Sequence, residues 1–140
     1  MEQSKELDYS GLIEELDKLS AKYSNFTYSY LGESTLNRPI PIITLGDKNA
    51  EKSVLYVSTH HPLENICTSV MLSFIKEYLE AYEAYRQLFS INLHYLFKMR
   101  KIYVIPMLNP DGVEYRLNGV NDENPIKNRV VAYNEGSLDF

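Results

Sequence analysis

The chain is predicted to fold as a mixed α/β domain, and three observations carry that prediction. Residues 54–58 and 102–107 are short, nearly continuous apolar runs, the pattern of buried strands. Between them lies a long helical pattern, and strand–helix–strand is a βαβ unit that sets its two strands parallel with a right-handed crossover. Ahead of them, two further strand patterns divided by turn residues add a hairpin. The expected sheet is therefore mixed, largely parallel and flanked by helices.

Taken in order, Tyr9, Leu12, Ile13, Leu16, Leu19 and Tyr23 recur at helical spacing with charged residues between them, and Asp8 stands where an N-cap would. Residues 26–31 alternate aromatic and polar side chains as a half-buried strand does. Gly32-Glu33-Ser34 and Asn37-Arg38-Pro39 are turn signals, and residues 40–45 form a second strand. Pro41 removes a ladder donor, so it belongs near that strand's start or on an edge. Gly46-Asp47-Lys48-Asn49 breaks the chain before the strand at 54–58, which is expected to be covered on both faces. Pro62 then opens a long helix whose apolar face is Ile66, Val70, Phe74, Ile75, Tyr78, Leu79 and Tyr82. A further helical segment lies around residues 91–97. After the strand at 102–107, Asn109-Pro110-Asp111-Gly112 reads as a tight turn on the cleft floor. Residues 113–140 read as a long loop, with Asn118, Gly119, Asn121, Asp122, Asn124, Pro125 and Asn128 breaking the pattern.

Composition narrows the function. With 140 residues the chain is long enough for one domain with its own core. A net charge of −5 with scattered basic residues leaves no electrostatic footprint for nucleic acid, and gives no reason to expect a membrane partner. The single cysteine, Cys67, excludes an internal disulfide framework. The first residues lack the apolar segment of a secretory signal, so a cytoplasmic location is the default expectation; a trimmed N-terminus would leave an extracellular or wall-associated one open. The 12 Tyr and 5 Phe, with no Trp, suit half-buried strands and cleft walls.

His61-Pro62-Leu63-Glu64 sits where a buried strand meets a helix, and in open α/β sheets ligands bind at the carboxyl ends of strands. The residue before a proline is pushed out of the helical region, so His61 stays extended while Pro62 starts the helix. Glu64, in the first turn, then comes back toward His61. One imidazole and one carboxylate held that way suit zinc of the two-histidine, one-glutamate type, which takes three protein ligands and a water. The competing reading is a surface histidine beside a glutamate that complements the helix N-terminus. His60, on the opposite side of the strand, reads as packing, His94 as a solvated or core histidine, and Cys67 as a plain buried thiol. No nucleophile elbow and no phosphate-cradling glycine loop is present.

Five blocks then stand in a recognisable order. They are Leu19 to Tyr23, Tyr30-Leu31-Gly32-Glu33-Ser34, Asn37-Arg38-Pro39-Ile40, Thr59-His60-His61-Pro62-Leu63-Glu64, and Pro106-Met107-Leu108-Asn109-Pro110-Asp111-Gly112-Val113. Together they resemble the first half of the zinc carboxypeptidase family. Asn118-Gly119, Asp122-Glu123-Asn124-Pro125 and Ser137-Leu138-Asp139-Phe140 are similar to its bacterial branch that cuts γ-D-glutamyl–diaminopimelate bonds in cell-wall peptides.

The resemblance implies that residues 1–140 are the N-terminal portion of one peptidase catalytic domain of phosphorylase/hydrolase-like fold. It implies zinc as cofactor, with His61 and Glu64 as its first two ligands, and a peptide substrate, in this branch a peptidoglycan stem peptide. The family's third ligand, its general base and its substrate-holding residues fall downstream, so no catalytic or substrate-binding residue is assigned, and Arg129 is not claimed as one. The chain alone is accordingly expected to lack peptidase activity and to self-associate through an incompletely covered sheet. The alternative is a non-catalytic binding module that keeps the peptidase fold. Asn37 replaces the family's usual glycine, and Pro62 and Leu63 replace commoner small or charged residues; neither change touches the ligating atoms.

Overall fold

Asp8 starts the first helix. Its backbone is extended and its carboxylate accepts the Gly11 amide at 2.8 Å, so α1 (Tyr9–Lys22) begins capped, as the sequence suggests. Leu12, Leu16 and Leu19 are its buried stripe. The computed structural model describes residues 6–119.

After α1, β1 (Thr27–Glu33) and β2 (Pro39–Leu45) form an antiparallel hairpin with an irregularity between Tyr30 and Gly32. β1 thus runs through Gly32 and Glu33, and the reversal lies later, where Ser34 and Arg38 close it with a backbone bond of 2.9 Å. Asn37 sits there at φ +60, the left-handed region that Asn enters more readily than most residues.

The chain continues through β3 (Lys52–Val57), a 3-10 turn (Pro62–Glu64), α2 (Ile66–Glu83), the two-residue strands β4 (Gln87–Leu88) and β5 (Ile91–Asn92), and α3 (Leu93–Met99). It closes with β6 (Arg100–Ile105) and α4 (Pro110–Asn118). Pro62 therefore opens a 3-10 turn and not the long helix itself, which begins at Ile66.

The main sheet has the order β1-β2-β6-β3. β3 and β6 are parallel, as the βαβ reading requires, but β2 meets β6 antiparallel. The sheet is mixed as expected; among the described residues β3–β6 is its one parallel pairing, because the hairpin docks onto β6 in the opposite sense. β2 pairs with β6 only from Ile43 to Leu45, so the donor missing at Pro41 falls ahead of that ladder.

Cross-strand partners share a face, and the register decides which face is core. Ile43, Val104 and Tyr56 align, as do Leu45, Ile102 and Val54. Ile43, Leu45, Ile102 and Val104 join Leu12, Leu16, Leu72, Ile75 and Leu79 of the two long helices in one buried cluster. Thr44, Tyr103 and Leu55 align on the other face, where Leu55 is 53% exposed.

Two expectations are corrected here. The strand at 54–58 is not covered on both faces: among the described residues β3 is an edge strand, with β6 as its one neighbour. Of the face expected for α2, Ile75, Tyr78 and Leu79 are buried, joined by Thr68, Leu72 and Ala81, whereas Ile66 and Val70 are 70% and 60% exposed. Periodicity places the 66/70/74 and 68/72/75/79 stripes side by side, and only contact with the sheet chooses between them. Phe74, on the outer stripe, meets Tyr56 at the β3 edge with ring centroids 6.5 Å apart.

The stretch expected as a loop from 113 is helical through residue 118, inside α4; residues 120–140 lie outside the described residues. Among the described residues no helix is long and apolar enough to cross a membrane.

Glu15 joins the two long helices, accepting from Lys18 at 2.8 Å and from Lys76 at 2.6 Å. Those hydrogen bonds hold its carboxyl below the ordinary value of 4.5. A carboxyl lowered by folding stabilises the fold above its unfolded value, and that contribution disappears as pH falls through its folded value. Glu15→Gln is therefore expected to be less stable than the parent near neutrality. The gap should close as denaturation curves are taken from about pH 7 to about pH 3; a gap constant over that range would refute the linkage.

Candidate metal centre

At the end of β3 the chain must leave the sheet without stranding its polar groups. Ser58 still follows the ladder, its amide donating to the Ile105 carbonyl at 2.9 Å. Thr59 then turns left-handed at φ +49, an outlier for a β-branched residue, and is only 2% exposed.

A buried chain of hydroxyls holds it. Thr68 Oγ1 donates to the Pro106 carbonyl at 2.8 Å and lies 2.7 Å from Thr59 Oγ1. A hydroxyl has one proton, so Thr59 must be the donor to Thr68. The carbonyls of Ser58 and Thr59 accept the amides of Leu108 and Asn109 at 3.0 and 3.1 Å.

His61 follows in extended conformation, φ −106 and ψ 131, as its position before proline dictates. Pro62 is buried and begins the 3-10 turn, which the Glu64 amide closes onto the His61 carbonyl at 3.0 Å. Next, the buried Asn65 ties the turn to the segment just before α1, its Nδ2 donating to the Leu7 carbonyl at 2.7 Å. His61 and Glu64 thus stand one tight turn apart at the carboxyl end of a parallel strand, and both are exposed to solvent.

Their chemistry, one imidazole and one carboxylate, is that of a zinc donor set. Among the described residues no group of three or more His, Cys, Asp or Glu comes together, so the donors here number two at most. His94 lies on α3, with its ring stacked between Tyr82 and Tyr85 at the far end of α2 and its Nε2 3.0 Å from the Tyr82 carbonyl. Cys67 is a half-buried free thiol in the first turn of α2. His60 is exposed, and its carbonyl accepts from Asn109.

The segment 109–112 is a helix start and not the tight turn expected. Asn109 caps α4, its Oδ1 accepting the Gly112 amide at 2.9 Å while its Nδ2 donates to the His60 carbonyl at 3.2 Å. Asp111 faces the β1–β2 reversal. Its carboxylate accepts from Ser34 Oγ at 2.8 Å, the Leu36 amide at 3.0 Å and Arg38 Nη1 at 2.7 Å. One helix N-terminus therefore holds both the β1–β2 turn and the strand exit that leads to His61.

Sequence reasoning passed over Asn109 as part of a turn, although asparagine, then proline, then an acidic residue is a helix-start signature. Thr59, Asn65 and Thr68 gave no local signal, because their roles come from contacts with residues brought close only by the fold.

With this geometry in place, the comparisons are specific. Residues 12–135 match the zinc carboxypeptidase family. The γ-D-glutamyl-L-diamino acid endopeptidase 1 of Lysinibacillus sphaericus is 31% identical over 133 residues, covering 95% of this chain and 33% of that protein. Among solved structures, thrombin activatable fibrinolysis inhibitor superposes with a TM-score of 0.69 at 15% identity, over 84% of this chain and 31% of its own. Carboxypeptidase A from Helicoverpa armigera gives 0.65 at 20% identity, over 80% of this chain and 26% of its own. These structural likenesses carry the fold. The chain spans about a third of the length of the curated relatives it matches.

The clasp at Asp111 makes a direct prediction. Asp111→Ala removes a charged acceptor from three donors and is expected to cost about 2 kcal/mol. Asp111→Asn, which keeps an acceptor oxygen but loses the charge opposite Arg38, should cost less. Urea titrations of the two variants check this order, and equal losses would contradict it.

Proposed function

This chain belongs to the zinc carboxypeptidase family, and we propose that it supplies His61 and Glu64 as two of the protein ligands of a catalytic zinc in a peptidase. The observation that carries the reading is the placement of that pair. An extended histidine and a glutamate one 3-10 turn later stand at the carboxyl end of the parallel strand, where α/β folds bind their ligands. Bound zinc would polarise a scissile carbonyl and lower the pKa of its water toward ~7. In this chain His61 offers an imidazole nitrogen and Glu64 its carboxylate oxygens, on a turn anchored by Asn65 and by the buried Pro62.

The substrate proposed is a peptide, and within that class a γ-D-glutamyl–diamino acid bond of a peptidoglycan stem peptide. Support for this finer reading is the name of the Lysinibacillus relative together with the branch resemblance at Asn118-Gly119. Two donors among the described residues make a weak metal site, so the chain is expected to take up zinc weakly without cleaving peptide.

The exposed apolar side chains at the β3 edge, with Leu55 on one face and Val54, Tyr56, Ile66 and Val70 on the other, favour self-association of the isolated chain. Light scattering at rising concentration should show species larger than a monomer, and a clean monomer at high concentration would oppose this.

Zinc titration by calorimetry tests the site. Weak uptake is expected, falling to background in His61→Ala. Equal uptake before and after that substitution would refute the assignment.

A further inference from the structure

We propose that Asn109 is a positioning residue for the metal pair, and that Gly112 is glycine so that the Asn109 amide fits. The inference rests on the zinc reading above and deepens it.

Three bonds from one residue carry it. The Asn109 amide N–H donates to the Thr59 carbonyl at 3.1 Å, its Nδ2 donates to the His60 carbonyl at 3.2 Å, and its Oδ1 accepts the Gly112 amide at 2.9 Å. The two residues immediately before His61 are thus both gripped through their carbonyls by one asparagine. The grip opposes a real tendency to relax, because Thr59 is held in a left-handed conformation that a β-branched residue disfavours.

Oδ1 and Nδ2 do separate work. Oδ1 caps α4, a role that serine would also fill. Nδ2 reaches the loop, and a serine hydroxyl engaged at the cap does not replace it.

Gly112 makes an independent argument. A Cβ added there would lie 2.8 Å from Asn109 Nδ2 and 3.0 Å from Cγ and Oδ1. Nothing about the helix itself demands glycine at this position, since no positive φ is involved and alanine is the better helix former. The glycine leaves room for the asparagine amide.

The experiment compares zinc affinity with stability in the full 140-residue chain, following the His61 ring by NMR during titration with zinc alone. Asn109→Ser keeps the cap and should retain the parent's melting temperature while binding zinc about fivefold more weakly, the factor that one hydrogen bond commands. Gly112→Ala keeps every polar group but displaces the whole amide, cap included, so it should weaken zinc to a similar extent and also lower the melting temperature, whereas Asn109→Ser separates the two effects. In the metal-free protein, both variants should shift the His60 and His61 amide resonances.

Parent-like zinc affinity in both variants would overturn the assignment, whatever their stability. So would a loss of affinity in Asn109→Ser that merely tracks a fall in its melting temperature. His61→Ala separates this from the parent reading. If His61→Ala binds zinc as well as the parent chain does, the metal site itself is wrong and the role given to Asn109 goes with it. If His61→Ala abolishes binding and the other two variants do not weaken it, only the present inference fails.

Discussion

The parallel pairing of β3 with β6 is the constraint from which the rest follows. It brings the carboxyl ends of two strands side by side, and their continuing segments must then satisfy their backbone groups in a buried place. The solution is a reciprocal lacing: the Ser58 amide reaches back to Ile105, while the Ser58 and Thr59 carbonyls receive the amides of Leu108 and Asn109. Once laced, the exit from β3 has little freedom. Thr59 is forced left-handed, and His61 is delivered extended onto its proline-initiated turn.

Polar groups inside this region are expensive unless paired, and the pairing gives the site its definition. Thr59 and Thr68 share their protons in a single direction that ends on the Pro106 carbonyl. That bond couples the strand exit, α2 and the segment after β6. Asn65 adds the approach to α1 through Leu7, and Asp111 adds the β1–β2 reversal through Ser34, Leu36 and Arg38. The Asn-Arg-Pro-Ile and Asn-Pro-Asp-Gly blocks, far apart in sequence, are the two halves of that last clasp. Their place in the family pattern is explained by architecture, while the proposed metal pair lies in the His-Pro-Leu-Glu block.

The apolar surface at the β3 edge shows where hydrophobic pattern alone misleads. Residues 54–56 and the Ile66 and Val70 positions are as apolar as core, and the pattern says they suit burial. Pattern carries no information about which neighbour does the covering. Among the described residues β3 has β6 on one side only, so Leu55 on one face and Ile66 and Val70 of α2 beyond the other stay open to solvent.

By itself the sequence determined the α1 periodicity and its Asp8 cap, the βαβ core, the extended His61 before Pro62, and the family through its ordered blocks. Each of these is local, set by side-chain spacing, by proline's fixed geometry or by short motifs. Tertiary structure alone decided that the hairpin meets β6 antiparallel, that α2 buries Thr68 and Leu72 while Ile66 and Val70 stay exposed, and that residues 110–118 are helical. It alone matched Asn109 to His60 and Asp111 to Arg38. Those outcomes depend on which backbone carbonyl or which sheet face lies opposite a given side chain, and that opposition exists only after strands distant in sequence have paired.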